Sequence, residues 1–343
     1  MKKEKCRNNY IDLLRGFAIV LMIFGHMIGY GLEQNICVPE QQRIFQYIHN
    51  AIYSFHMPLF FSLSGYALAI SDNGIDSITV LWKRIKKEIV SLYGPYLSFV
   101  VLYWLSRFFA SNFLGCQLAE PLETKMGEMV YLLVAGKALS WFLLSLLLVR
   151  IVFDIVLYLS DHYWCLGFFV LVAVISIFVN NQIIWYLSSG LYFSIGYIIS
   201  RNKLCVCAKK SLYSAVIIGF MLSLGIGMVY YGDNAFIDLV VAIILSTIPI
   251  LINPKFEKNY ICEIGKNSMI YYISHGIVNG ICIPFLYSII GMKYNLVLAV
   301  VGVIFQLTVI GVVQRIVENK HLYWMAYFFY PQRSKIVKKY IIG

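Results

Sequence analysis

One apolar run near the start of the chain, Tyr10-Ile-Asp-Leu-Leu-Arg-Gly-Phe-Ala-Ile-Val-Leu-Met-Ile-Phe-Gly-His26, carries an acid, a base and an imidazole. Ionisable groups inside an apolar helix are costly, so each requires an account. Arg15 and His26 are eleven residues apart. At roughly 100° and 1.5 Å per residue they share one helix face, about 16 Å apart along the axis. At that distance the guanidinium cannot hydrogen-bond the imidazole, so the two cannot act as a direct catalytic dyad. Asp12 lies one turn below Arg15 and predicts an i,i+3 ion pair. His26 falls in the outer half of the run, where desolvation favours the neutral ring that a general base requires. Two plainer readings stay open: an interfacial arginine snorkelling to headgroups, and a core histidine bonded to a neighbouring helix.

A second run, Ser54-Phe-His-Met-Pro-Leu-Phe-Phe-Ser-Leu-Ser-Gly-Tyr66, brings His56 to the depth of His26. Pro58 frees a backbone carbonyl one turn earlier, near Ser54. Such a break is tolerated beside protein or a wet cavity. Ser62, Ser64 and Gly65 are small enough either to let helices approach closely or to touch a ligand. Farther on, Tyr271, Ser274 and His275 read as lying in the inner half of their helix, away from the level of His26, with Asn279 extending a polar face. Arg150 and Asp154, spaced i,i+4, read as a structural pair. The cluster Trp82-Lys-Arg-Ile-Lys-Lys87 is either a topology signal or a grip for a phosphorylated cofactor.

The elements that must position these groups are membrane helices. Of 343 residues 60% are hydrophobic and 13% charged, with a mean hydropathy of +0.75, far from a soluble domain of this size. Apolar stretches long enough to cross a hydrocarbon core of roughly 30 Å recur from Ile11 to Gln314. The spans read as 11–32, 49–70, 89–110, 138–159, 164–180, 183–200, 211–231, 235–253, 267–289 and 295–315, an all-α polytopic bundle of about ten helices. The basic start Met1 to Arg7 resembles a secretory leader, but the run that follows is too long, carries three ionisable groups and lacks a small-residue cleavage site. It reads as a retained first helix.

With the N-terminus inside, the inner segments hold 4, 4, 0, 4, 3 and 6 Lys or Arg, the last being the basic tail 316–343 with Arg315. The outer loops hold only Arg43, Lys125, Lys137 and Lys293, and Arg15, Arg107 and Arg150 lie within spans. That asymmetry places both termini in the cytoplasm. The net charge of +11 and the sequence pI near 9.1 then reflect topology and anionic lipid rather than nucleic acid. Glu120, Glu123 and Glu128 make the longest outer loop, which includes 127–137, mildly acidic and suited to an entrance for an extracytoplasmic acceptor. The tail from His321 to Gly343 mixes aromatic and basic residues and reads as an interfacial segment. Cys6, Cys165, Cys205, Cys207 and Cys262 fall at the inner side and are expected as reduced thiols, while pairing of Cys37 with Cys116 stays open. No spacing argues for a metal site. No internal repeat appears, which argues against an inverted-repeat transporter.

Together these residues resemble the acyltransferase 3 family of bacterial membrane proteins, particularly its fucose 4-O-acetylase-like branch. The resemblance rests on Arg15 and His26 within Asp12-Leu-Leu-Arg-Gly, on Phe55-His-Met-Pro-Leu-Phe-Phe-Ser-Leu-Ser-Gly65, and on the looser Trp141-Phe-Leu, Tyr192-Phe-Ser-Ile-Gly196 and Tyr271-Tyr-Ile-Ser-His275. Where the family favours paired arginines before the third helix, this chain has Lys83, Arg84, Lys86 and Lys87. No extracytoplasmic hydrolase-like domain follows the bundle, so a single domain over 1–343 must act alone or with a separate protein. The resemblance implies a multi-pass enzyme of the bacterial cytoplasmic membrane that transfers acetyl from acetyl-CoA to a hydroxyl of a glycan or lipid-linked sugar.

It also implies roles. His26 is the expected general base, with Arg15, Asp12 and His56 completing the candidate catalytic set. Lys83, Arg84, Lys86, Lys87, Arg15, Ser64, Tyr271 and His275 are the candidate acetyl-CoA contacts. Besides glycan and membrane lipids, a homo-oligomer or an envelope-assembly partner is compatible with the chain. The competing readings are a transporter or flippase for a glycan or lipid-linked intermediate, and a structural subunit whose ionisable residues only stabilise packing.

Overall fold

The computed structural model describes residues 8–33, 35–113, 141–204, 210–290 and 294–318. Cys6, Cys116, Cys205, Cys207, the loop glutamates and the aromatic, basic tail lie outside them. The described residues form α1 (Asn9–Glu33), α2 (Gln42–Tyr53), α3 (His56–Ser71), α4 (Ile78–Glu88), α5 (Gly94–Phe113), α6 (Trp141–Leu159), α7 (His162–Phe178), α8 (Gln182–Ser188), α9 (Gly190–Arg201), α10 (Lys210–Tyr230), α11 (Ala235–Ile252), α12 (Tyr260–Lys266), α13 (Ser268–Ile290) and α14 (Leu296–Glu318). Among them there is no strand, only an isolated bridge between Cys37 and Tyr294. Among the described residues six stretches are long and apolar enough to cross a membrane: Asn9–Glu33, Ile78–Leu105, Trp141–Leu159, Gln182–Arg201, Ala235–Ile252 and Leu296–Val317.

The chain divides into two compact units, and α1 contributes its first half to one and its second half to the other. The first unit comprises residues 1–22, 47–72 and 192–268. Its helices touch through glycines. A Cβ added at Gly65 would meet the Phe193 carbonyl oxygen at 1.9 Å, and one at Gly196 would meet that of Ser62 at 1.9 Å, so α3 and α9 cross in backbone contact. Ser62 Oγ donates to the Tyr192 carbonyl at 3.0 Å across the same crossing. Two segments of the family resemblance therefore form one joint. Gly16 against Ile261, and Gly265 against the Asp12 carbonyl, make a second close crossing between α1 and α12.

The span expected at 49–70 is two helices, because Ser54 and Phe55 leave helical geometry. Pro58 stands in the first turn of α3, where its missing N–H is one that a helix start leaves unpaired in any case. The break frees the Ile52 carbonyl, which accepts a hydrogen bond from His56 Nδ1 at 2.8 Å.

The second unit comprises residues 23–46, 73–191 and 269–343. Between α4 and α5, Ile89–Tyr93 forms a π turn just before Gly94-Pro95. A proline cannot donate to the carbonyl four residues back, and the wider turn absorbs that missing bond. Ser77 caps α4 by accepting from Val80 N at 3.3 Å. At the other end, Val38 N donates to the Tyr294 carbonyl and Tyr294 N to the Ile36 carbonyl, each at 3.0 Å, which ties the segment after α1 to the start of α14.

Candidate functional site

Three helices of the second unit converge at the C-terminal half of α1. His26 is partly exposed, and its ring stacks on that of His275 from α13 with centroids 5.2 Å apart and planes 25° apart. This corrects the sequence reading that set His275 in the inner half, away from His26. That reading took the depth of His275 from its own helix alone, whereas the level at which α13 packs on α1 is set by the ring contact itself.

His275 is 0% exposed. Its Nδ1 donates to the Tyr272 carbonyl, which fixes the tautomer and leaves Nε2 as a lone-pair acceptor. Nε2 is buried with no hydrogen-bond partner among the described residues. The Tyr272 ring lies 5.6 Å from His275 and 5.3 Å from Phe142, so α6 braces the pair from behind. Trp141 stacks on Tyr186 with planes 7° apart. The Trp141-Phe-Leu segment thus serves as a wall. Tyr271 is buried on the same helix.

Helix α14 completes the convergence. A Cβ at Gly302 would meet Met27 Cε at 2.2 Å. One turn later Gln306 donates to Met27 Sδ and to Asn279 Oδ1. Sequence reasoning did not single out Gln306. Its signal was an amide in the middle of an apolar run, next to Phe305 and Leu307, a residue type that needs a partner inside an apolar helix.

The cation cluster divides in two. Arg84 is held in a bidentate pair with Asp154, Nη2 to Oδ1 at 2.8 Å and Nε to Oδ2 at 3.2 Å. Arg150 pairs with Glu88 at 2.6 Å, and Ser91 Oγ in the π turn donates to the Glu88 carbonyl at 3.1 Å. This corrects the expected Arg150–Asp154 pair: each member finds its partner on α4 instead. An interhelical fork to a carboxylate exceeds the few tenths of a kcal/mol of an i,i+4 pair. Lys83, Lys86 and Lys87 are exposed together with Trp82, on the face of α4 opposite the buried Leu81, Ile85 and Glu88.

The remaining candidates belong to the first unit. Arg15 Nη1 stands 3.7 Å from Asp12 Oδ1, the i,i+3 pair expected, and Nη2 donates to the Leu63 carbonyl at 3.3 Å. Ser64 Oγ donates to the Phe60 carbonyl at 2.8 Å, so its proton serves its own helix. His56 is buried against Tyr53, ring centroids 5.0 Å apart. With Nδ1–H engaged by Ile52, a neutral His56 keeps Nε2 as an acceptor and could donate to an oxyanion only as imidazolium. Continuous α1 carries both Arg15 and His26. Among the described residues no group of three or more side chains could hold a metal ion.

Comparison with known proteins gives one family. The model of an acyltransferase domain, that of the acyltransferase 3 family, matches residues 8–315. No curated protein and no solved structure matches the chain. The chain belongs to the acyltransferase 3 family and is a membrane acyltransferase.

Proposed function

We propose that this member of the acyltransferase 3 family is an O-acetyltransferase that moves acetyl from cytoplasmic acetyl-CoA to a hydroxyl of an extracytoplasmic or lipid-linked glycan. The observation that carries the reading is the stacking of His26, which shares α1 with Arg15, on His275 of α13. A base for hydroxyl deprotonation must be held, partly accessible, and close to water-excluding walls. His26 meets these conditions through the fully buried ring beneath it.

In the proposed reaction His26 takes the proton of the acceptor hydroxyl as its oxygen attacks the thioester carbonyl. The carbon–sulfur bond breaks, and the departing thiolate takes the proton back from the imidazolium. No covalent acyl-enzyme is needed. The face of a neutral His275 steadies the transient cation on His26, because an aromatic face within about 6 Å attracts positive charge. Lys83, Lys86 and Lys87 would hold the phosphates of the donor, and Arg15, Ser64 and Tyr271 stay candidate contacts to it. Arg84, Asp12 and His56 have structural partners that account for their burial, so their roles in this reading are supporting.

The same reading puts both termini in the cytoplasm and about ten helices across a bacterial cytoplasmic membrane. The test is His26→Ala in membranes of matched protein abundance, with radiolabelled acetyl-CoA and cell-envelope glycan. The expected outcome is loss of alkali-labile label from the glycan by two or more orders of magnitude. Normal labelling would remove His26 from the chemistry.

A further inference from the structure

We infer that Asn279 and Gln306 form the subsite that holds a neighbouring hydroxyl of a polyhydroxylated acceptor, one helical turn from the imidazole pair; this rests on the acetyl-transfer reading above. Asn279 follows His275 by four residues on α13, which sets it on the same face about 6 Å farther along. Gln306 reaches it from α14 and is itself 1% exposed. The bond from Gln306 Nε2 to Asn279 Oδ1 fixes the orientation of both amides. Gln306 Nε2 also lies against Met27, the residue after His26. Two groups then face away from that bond: the Nδ2 donors of Asn279 and Oε1 of Gln306.

Gln306 Oε1 is buried and has no partner among the described residues. Leaving a carbonyl oxygen in that condition is costly, and a ligand that supplies a donor recovers the loss. A single hydroxyl both donates and accepts, so it can satisfy Oε1 of one amide and Nδ2 of the other at once. Packing alone does not account for the pair. A leucine would fill the place of Gln306, which sits between Ile304, Phe305 and Leu307, without the polar cost. A sugar carries hydroxyls on adjacent carbons, so one held by the amides leaves its neighbour for His26. The amide pair would thus select polyols over simple alcohols.

The test uses the purified full chain, radiolabelled acetyl-CoA and delipidated cell-envelope glycan titrated as sugar equivalents. Asn279→Ala and Gln306→Leu should each raise the glycan half-saturation by roughly 3- to 30-fold, the equivalent of one hydroxyl contact. The KM for acetyl-CoA should stay within about twofold. If Gln306→Leu fails to accumulate, Asn279→Ala alone decides, since its side chain is only half-buried. Unchanged glycan half-saturation in an active variant overturns the subsite and leaves the acetyl-transfer reading standing. A rise in acetyl-CoA KM instead of glycan half-saturation assigns the amides to the pantetheine arm and overturns it equally. No transfer by the unsubstituted chain overturns the enzyme reading, and the subsite with it.

Discussion

Arg84 offers the sharpest separation between a cation that holds the fold and cations that hold a ligand. Its guanidinium forks onto Asp154, whose side chain is 2% exposed while that of Arg84 is 17% exposed. Arg84→Met removes the fork but keeps the stem, and leaves a carboxylate buried beside an arginine already paired with Glu88 at 2.6 Å. An uncompensated buried charge of this kind costs about 3–5 kcal/mol. Substituting both partners, Arg84→Met with Asp154→Leu, removes the stranded charge and should return all but about 1–2 kcal/mol. The assay is reversible unfolding of the purified chain in mixed micelles as denaturing detergent is raised, read by tryptophan fluorescence. In parallel, Lys83→Gln, Lys86→Gln and Lys87→Gln combined should change stability by no more than about 0.5 kcal/mol per site. That triple variant should weaken acetyl-CoA binding roughly 5- to 50-fold, an effect that shrinks as salt is raised. The reasoning is refuted if Arg84→Met costs under about 1 kcal/mol, or if the double variant loses the sum of the two single losses.

The remaining expectations are briefer. At the α3–α9 joint, Gly196→Ala drives a methyl to 1.9 Å from the Ser62 carbonyl oxygen, so the helices must part at a cost of about 1–3 kcal/mol or more. Gly219→Ala, with nothing within 4 Å, should be neutral or stabilising; equal losses in the two variants would remove the joint. Burial holds the Cys37 thiol above the ordinary thiol range. Because the thiolate is the nucleophile, iodoacetamide should modify Cys37 more slowly than glutathione at pH 7.5 and accelerate close to tenfold per pH unit above it. Mass spectrometry of the Cys37 peptide measures this, and a rate that levels off below pH 8 would contradict it.

Much of the site was legible because the sequence states local costs directly. Asp12 beside Arg15 announced a pair three residues apart, Pro58 announced the break at Ser54, and Ser62 with Gly65 announced a close crossing. Each depends on one helix and its immediate chemistry. What escaped depends on two helices at once. His275 was set at the wrong depth because its level depends on the helix packed against it, and the stacking on His26 supplies what one helix alone does not. Arg150 and Asp154 looked sufficient for each other at i,i+4 until α4 presented Glu88 and Arg84 at better geometry.

The same distinction explains where this bundle concentrates its polarity. A helix among apolar neighbours gains little from hydrophobic contrast, so its position is fixed by close glycine contacts and by polar groups that must meet. Within each unit some described polar side chains obey this: Ser62 to Tyr192, Ser145 to Tyr186, Arg84 to Asp154, Arg150 to Glu88. Each pairing closes on protein and leaves no acceptor behind. Several buried polar atoms among the described residues lack a partner, Ser194 Oγ and Thr247 Oγ1 among them, and two of these, His275 Nε2 and Gln306 Oε1, belong to helices joined by the Gln306–Asn279 bond beside the partly exposed His26. On the acetyl-transfer reading, the two acceptors gathered beside an accessible imidazole are the ones a substrate hydroxyl would satisfy. The amide and imidazole acceptors beside His26 are therefore where the proposed acceptor is expected to bind.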